Sequence, residues 1–296
     1  MTVADVLPDN RVVVAPMAGG PSCPALVIVA ARAGALGFLA AGYKSPEAML
    51  AEIAAVRAGT GASFGVNLFL PGAPYGSPVE LARYVTSVGA DPGNATWDDD
   101  HYEGKVAALL ADPPPVVSFT FGCPAAEVIA AFRDAGTVVG VTVTSPAEAL
   151  IAAAAGAGAV CEVPVIAAGG IMTAAQVRAA LAAGAAAVQC GTAFLRCAES
   201  GAHPLHKAAL IDPAYTETVL TRAFSGRPAR GLLNQFIRDH PGAPAAYPEI
   251  NNATRPLRAA AAASGDTDRM SLWAGQGFRS ALDGSAGEIV ARLSDR

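Results

Sequence analysis

Charge and aromatic rings are both scarce in this chain. Of 296 residues only 15% are charged and 6% aromatic, and the net charge of −5 includes no long basic run. Nothing basic is concentrated enough to track a phosphate backbone or an anionic lipid surface, so neither nucleic acid nor membrane is an expected partner. Long apolar runs are missing too. Gly, Pro, Gln or a charge interrupts each before the roughly 20 residues that a membrane span needs. The N-terminus MTVADVLPDN has acidic residues and no apolar h-region, which argues against a secretory signal and for a cytoplasmic protein. The five cysteines (Cys23, Cys123, Cys161, Cys190, Cys197) form no CxxC pair, so reduced thiols are expected. His203 and His206 lack a third ligand at suitable spacing, and Asp98-Asp99-Asp100 reads as a solvated helix cap, so no metal is expected.

What the chain does have is alanine, glycine and a hydrophobic content of 52%, which suits helices packed closely on a parallel sheet. The pattern is organised around Val163 to Leu195. There the run VPVIAAGG, the helix AAQVRAALAAG capped by Thr173 and closed by Gly184, and the run AAAVQCGTAF make a β-α-β unit with two buried strands. The strands end in Gly169-Gly170 and Gly191-Thr192. Open N–H groups at the ends of consecutive parallel strands, beside a helix N-terminus, form an anion site, so this stretch reads as the phosphate grip of a cofactor or substrate. The plainer reading is that these glycines only permit tight turns.

Strand-like and helix-like runs alternate along the rest, as in an α/β (βα)8 TIM-type barrel. Strand starts fall in VVVAPMA, LGFLAAG, SFGVNLF, VVSFTFG, TVVGVTV, GAGAV, VPVIAAGG and AAAVQCGTAF. Met17 and Asn67 lie near the ends of the first and third. A looser excursion from Leu70 to about Leu110 reads as loop and short helices over one rim. Residues 1–198 are expected to form the barrel, with 199–296 as a helical segment packing on it. Arg227 and Arg230 in SGRPARG could meet an anion or serve as structural ion pairs. One place breaks the pattern. Only Cys161 and Glu162 separate GAGAV from VPVIAAGG, whereas parallel strands need a crossover of a dozen or more residues. Either GAGAV is helix end and turn, or a crossover is missing between Val160 and Cys161; eight strand starts favour the second.

Taken together, VVVAPMAGGPS, GVNLF, VSFTFGCP, PVIAAGGI, QCGTAFL, SGRPARGL, TRPLRAAA and WAGQG resemble the nitronate monooxygenases, FMN-dependent (βα)8 barrels, from about Arg11 to Ala281. The resemblance implies that Met17 lies beside the flavin ring, Asn67 hydrogen-bonds it, and Gly169, Gly170, Gln189, Cys190, Gly191 and Thr192 bind the FMN phosphate and ribityl chain. It implies oxidation of alkyl nitronates, as the small-molecule substrate, with O2 to a carbonyl compound and nitrite. Trp273 and Gln276 would reach the flavin or simply pack. The family's catalytic histidine sits in a motif of the type EAGGH after the sixth strand, and this sequence has none there. His101, His203, His206 and His240 match no such context, so no catalytic residue is assigned. Other readings are an NAD(P)H-dependent flavin quinone or enoyl reductase, a flavin-free sugar-phosphate enzyme using Lys44 as base, and a flavin-binding pseudoenzyme. Alanine-rich exposed helices would tolerate a homodimer contact.

Overall fold

Seven parallel strands are laid down in the order that the buried runs dictate. The computed structural model describes residues 2–157 and 163–295. In chain order its helices and strands are α1 (Val3–Val6), β1 (Val12–Val14), α2 (Pro24–Arg32), β2 (Leu36–Ala40), α3 (Pro46–Gly59), β3 (Phe64–Phe69), α4 (Pro78–Ser87) and α5 (Tyr102–Ala111). Then follow β4 (Val116–Thr120), α6 (Ala126–Asp134), β5 (Val138–Val141), α7 (Pro146–Ala152), β6 (Ile166–Ala168), α8 (Ala174–Ala182) and β7 (Ala187–Cys190). The last are α9 (Pro204–Ala209), β8 (Thr218–Thr221), β9 (Ala229–Leu232), α10 (Gln235–Asp239), α11 (Glu249–Ser264) and α12 (Ala286–Leu293).

β1 to β7 form one curled parallel sheet in the order β5-β4-β3-β2-β1-β7-β6, the α/β TIM-type arrangement. Local signals start the helices. Ser45 accepts the Ala48 N–H ahead of Pro46, and Ser145 accepts the Glu148 N–H ahead of Pro146. Thr173 and Gln176 close a capping box on α8. Val27, Met49, Ile53, Leu109 and Phe132 then pack from α2, α3, α5 and α6 onto the sheet, where every residue of β3 is buried. At the other end of the strands, Val3, Val6 and Leu7 sit against Val13, Leu36, Val116, Val138 and Ala187, near where those strands begin. That plug closes the N-terminal face. Only the C-terminal strand ends are left to carry a site.

Among the described residues β5 and β6 are the two edges of the sheet. The run VPVIAAGG, read as a buried strand, is accordingly open: Val165 is 61% exposed, and no residue of β6 is buried. Its neighbour on one side is β7, and nothing described flanks it on the other. Gly156 and Ala157, the start of the expected strand GAGAV, lie in a helical turn with Gly156 at φ 94°. Residues 158–160 of that strand, and the Val160–Cys161 junction, fall outside the described residues.

The chain divides into two compact units: residues 1–71, 100–202 and 280–296, and residues 72–99 and 203–279. The first holds the sheet. The second joins most of the excursion, including α4, to residues 203–279, with β8 and β9 as an antiparallel hairpin. Its core is Phe224 stacked on Phe236 at 4.5 Å, with Trp273 edge-on to Phe224 at 5.8 Å. No helix among the described residues is long and apolar enough to cross a membrane.

Candidate active site at the C-terminal strand ends

The loops after β6 and β7 offer unspent backbone donors. Gly169 and Gly170 follow β6 at φ 107° and 73°, a conformation that L side chains rarely adopt, and a Cβ on either would meet nothing within 4 Å. Among the described residues, the N–H groups of Gly169, Gly170 and Gly191 donate to no carbonyl or side chain. Three open donors on adjacent strand ends, with space above two of them, could together take an anion. A cavity of about 190 Å³ lies beside the same loops, lined by Met172, Thr173, Ala193, Leu282 and Ile289, with Arg292 as its cation.

Gln189 and Cys190 are in β7, paired to Val13 and Val14, so their side chains are fixed by the ladder. Cys190 is 1% exposed, and burial pushes its thiol up to about 12. It is therefore a neutral apolar filler, and what it can offer a ligand is backbone. Met17 follows β1, the neighbour of β7. Its N–H donates to Ser22 Oγ at 2.9 Å and its carbonyl accepts the Ser22 N–H at 3.1 Å, which pins the turn. Its sulfur would lie 3.5 Å from a Cβ on Gly191, so the β1 and β7 ends meet.

Asn67 is 2% exposed on β3. Its amide nitrogen donates to Ser118 Oγ and Thr120 Oγ1, both at 2.9 Å, and to the Ser118 carbonyl at 3.2 Å. Three acceptors around one nitrogen fix the orientation of the amide. The group left for a ligand is Oδ1, an acceptor suited to a ring N–H.

Several other candidates have structural partners. Lys44 pairs with Glu52 at 2.6 Å, which ties up the base that a sugar-phosphate enzyme would use. Arg230 donates to the Thr218 carbonyl at 3.0 Å, and the Arg227 guanidinium lies over the Tyr247 ring at 4.9 Å. His203 caps α9 by accepting the Leu205 N–H. His206 lies 3.0 Å from the Trp273 carbonyl, and burial holds its pKa down at about 4, so it stays neutral. Trp273 packs on Phe224, and Gln276 is exposed. No group of three His, Cys, Asp or Glu among the described residues is placed to hold a metal ion.

The reading of Asp98-Asp99-Asp100 as a solvated cap is corrected. Asp100 lies 2.7 Å from Lys105 Nζ, with side-chain exposures of 14% and 1%, while Asp98 accepts from Asn252 at 2.6 Å. Asp100 thus answers a buried ammonium, and Asp98, though exposed, answers an amide donor far along the chain. Sequence reasoning also missed three rings at neighbouring strand ends: Tyr43 after β2, Phe69 ending β3 and Phe121 after β4. An aromatic at or just past three successive strand ends was the signal that could have found them.

Open N–H groups on two adjacent strand ends, a thioether after β1 and a buried amide acceptor on β3 are groups that could hold a phosphorylated cofactor or substrate on one rim of a TIM-type sheet. The family model for nitronate monooxygenase matches this chain over residues 2–161 and 157–295, and the chain belongs to that family as a flavin-dependent oxidoreductase. A probable nitronate monooxygenase from Bacillus subtilis is 32% identical, covering 91% of this chain and 90% of its own length. The nitronate monooxygenase of Paraburkholderia phytofirmans is 34% identical, over 96% of this chain and 91% of its own. The solved nitroalkane oxidase from Streptomyces ansochromogenes superposes with a TM-score of 0.94 at 44% identity, over 99% of this chain and 97% of that one. FabK from Thermotoga maritima gives 0.77 at 25%, over 99% and 94%.

Two matches of one family model meet at residues 157–161, where the chain's own pattern lacks a crossover. The Paraburkholderia alignment spans 346 positions against 296 residues here, so at least 50 positions of that relative face no residue of this chain.

Proposed function

We propose that the chain binds FMN and oxidises alkyl nitronates with O2 to the carbonyl compound and nitrite. The observation that carries this reading is the set of unspent N–H groups on Gly169, Gly170 and Gly191 beside Met17, with Asn67 Oδ1 turned into an acceptor two strands away from β7's neighbour β1. Gly169, Gly170, Gly191 and Thr192 would hold the phosphate, and Gln189 and Cys190 would line the ribityl chain. Met17 and Asn67 would fix the ring. FMN, when bound, supplies the electron acceptor for the electron-rich nitronate and passes the electrons on to O2. The chain's own residues orient the partners, and the closed N-terminal face confines the reaction to one rim.

None of the four histidines is offered as a base. His206 and His203 are spent on backbone partners, and His240 is packed against Tyr84 and Phe236. A nitronate is already deprotonated, so its oxidation requires no proton abstraction at carbon. The test is to load the protein with FMN and add ethyl nitronate without air. Bleaching of the flavin, and nitrite release once air returns, is the expected result. A protein that takes up no FMN, or whose flavin is reduced by NADH and never by a nitronate, would overturn the proposal.

A further inference from the structure

The ends of β2, β3 and β4 carry a series of rings that the cofactor reading leaves unused. The Tyr43 ring meets Phe69 edge-on with centroids 5.5 Å apart, and Phe69 meets Phe121 at 4.5 Å. Tyr43 and Phe121 have φ of 67° and 79°, where bulky residues are genuine outliers. Simple core packing needs no such backbone, and strain of this kind gathers where a side chain is being aimed. The turn before Tyr43 is shaped around the same rings, since any Cβ on Gly42 would run into Phe69.

A buried ion pair holds that turn. Asp100 Oδ1 accepts the Tyr43 N–H at 2.8 Å, Asp100 Oδ2 lies 2.7 Å from Lys105 Nζ, and the same ammonium donates to the Ala41 carbonyl at 2.9 Å. Lys105 is 1% exposed. Lysine is almost never so deep unless paired, and here two of its contacts set the Ala41–Tyr43 turn directly or through Asp100.

We infer that Tyr43, Phe69 and Phe121 form the contact wall for the hydrocarbon body of the substrate, with Lys105 and Asp100 as positioning residues that fix Tyr43. The substrate class is a nitronate bearing an unbranched alkyl chain of several carbons; the head group rests on the function proposed above. Strand order places the wall at the ends of β2 to β4 and the glycines at the ends of β7 and β6, with Met17 after β1 between them. A cofactor gripped by its phosphate at one end of this row, with its ring reaching Asn67 on β3, would bring the reacting ring to the strands that carry the wall. Tyr43 remains 40% exposed, so the wall opens to water and longer chains are tolerated. Each methylene laid on it is worth up to about fourfold in kcat/KM, the equivalent of about 0.8 kcal/mol, until the chain passes Tyr43 and the gain levels off.

The experiment compares ethyl, butyl and hexyl nitronates on the FMN-loaded protein, scored as the hexyl-to-ethyl ratio of kcat/KM. That ratio is unaffected by the fraction of protein that folds. In the wild type it is expected to exceed tenfold, with the difference in KM. Tyr43→Ala should flatten it to within about threefold. Lys105→Met should lower it in the same way, and the double variant should fall no further than Tyr43→Ala alone, since Lys105 acts through Tyr43. Lys105→Gln serves the same comparison if Lys105→Met does not accumulate. Binding of hexanoate and acetate, anionic mimics of the nitronates, is measured in parallel by calorimetry. No nitronate turnover, combined with hexanoate preference lost in Tyr43→Ala, would refute the proposed reaction and support the wall. Turnover with no dependence on chain length, or a ratio unchanged in Tyr43→Ala, would overturn the wall. Additive effects of Tyr43→Ala and Lys105→Met would overturn the positioning role.

Discussion

His206 should make this protein's stability depend on pH in a way that one substitution removes. The imidazole is 8% exposed, and burial holds its pKa at about 4 against an ordinary 6.5. The folded protein therefore keeps it neutral while the unfolded chain protonates it below pH 6.5. The unfolded state then binds the extra proton, so stability falls as pH drops from about 6.5 towards 4. A displacement of this size corresponds to about 3 kcal/mol at the limit, of which about 2 kcal/mol is lost between pH 7 and pH 4.5. His206→Gln keeps a nitrogen that can donate to the Trp273 carbonyl and does not titrate in this range. Urea unfolding of both proteins at a series of pH values isolates the histidine, because the carboxylates common to both cancel in the difference. The wild type should lose about 2 kcal/mol more than the variant over that interval. Parallel curves would refute the assignment of His206 as a buried neutral group, and would return it to consideration as a titrating residue of the site.

Asn67→Ala should weaken FMN binding by up to about tenfold in Kd, the worth of one neutral hydrogen bond, and should also lower stability by about 1–3 kcal/mol because it strips the Ser118 and Thr120 acceptors of their donor. Flavin fluorescence titration and urea unfolding read the two effects separately. Cys190 should resist iodoacetamide at pH 8 in the native protein, because a thiol pushed up to about 12 is only about 10⁻⁴ thiolate there; mass mapping that finds it alkylated would contradict its burial. Gly65→Ala should cost about 1–3 kcal/mol, since a Cβ on β3 would run into the Phe38 ring inside the sheet and the surrounding core has no room to give.

The strands were readable because each is a short apolar run bounded by Gly, Pro or a polar turn, and the parallel sheet follows once helical runs separate them. Val163 to Leu195 was readable down to the Thr173 cap, because a capping box is a local device. Lys105 and Asp100 were not. A lysine in a polar excursion reads as exposed, and the pair's partners come from Ala41, 64 residues from Lys105, and Tyr43, 57 residues from Asp100. No window of sequence contains both ends of that clasp. The exposure of β6 was hidden for the opposite reason: Val165 and Ile166 look like core, and only the sheet order makes them an edge. Apolar composition reports what a strand would bury with a neighbour on each side, and it does not report whether the neighbours are there.

That edge makes a last prediction about the proposed phosphate site itself. Gly191 and Met17 follow β7 and β1, strands paired on both sides, whereas Gly169 and Gly170 hang from β6, which is paired to β7 alone among the described residues. The two halves of the proposed site therefore differ in local stability, and a strand with half its ladder open exchanges its amides through smaller openings than a central one. In the flavin-free protein, amides of residues 166–171 should exchange with deuterium well before those of β1 and β7. Saturating FMN should slow them most, because a phosphate held by the N–H groups of Gly169 and Gly170 stabilises only the closed form, by about 2.7 kcal/mol at a hundredfold excess over Kd. That is close to a hundredfold slower exchange at those amides. If FMN binds and the protection appears elsewhere, with residues 166–171 unchanged, then the glycines after β6 are turn residues and the phosphate is held by β7 and its loop.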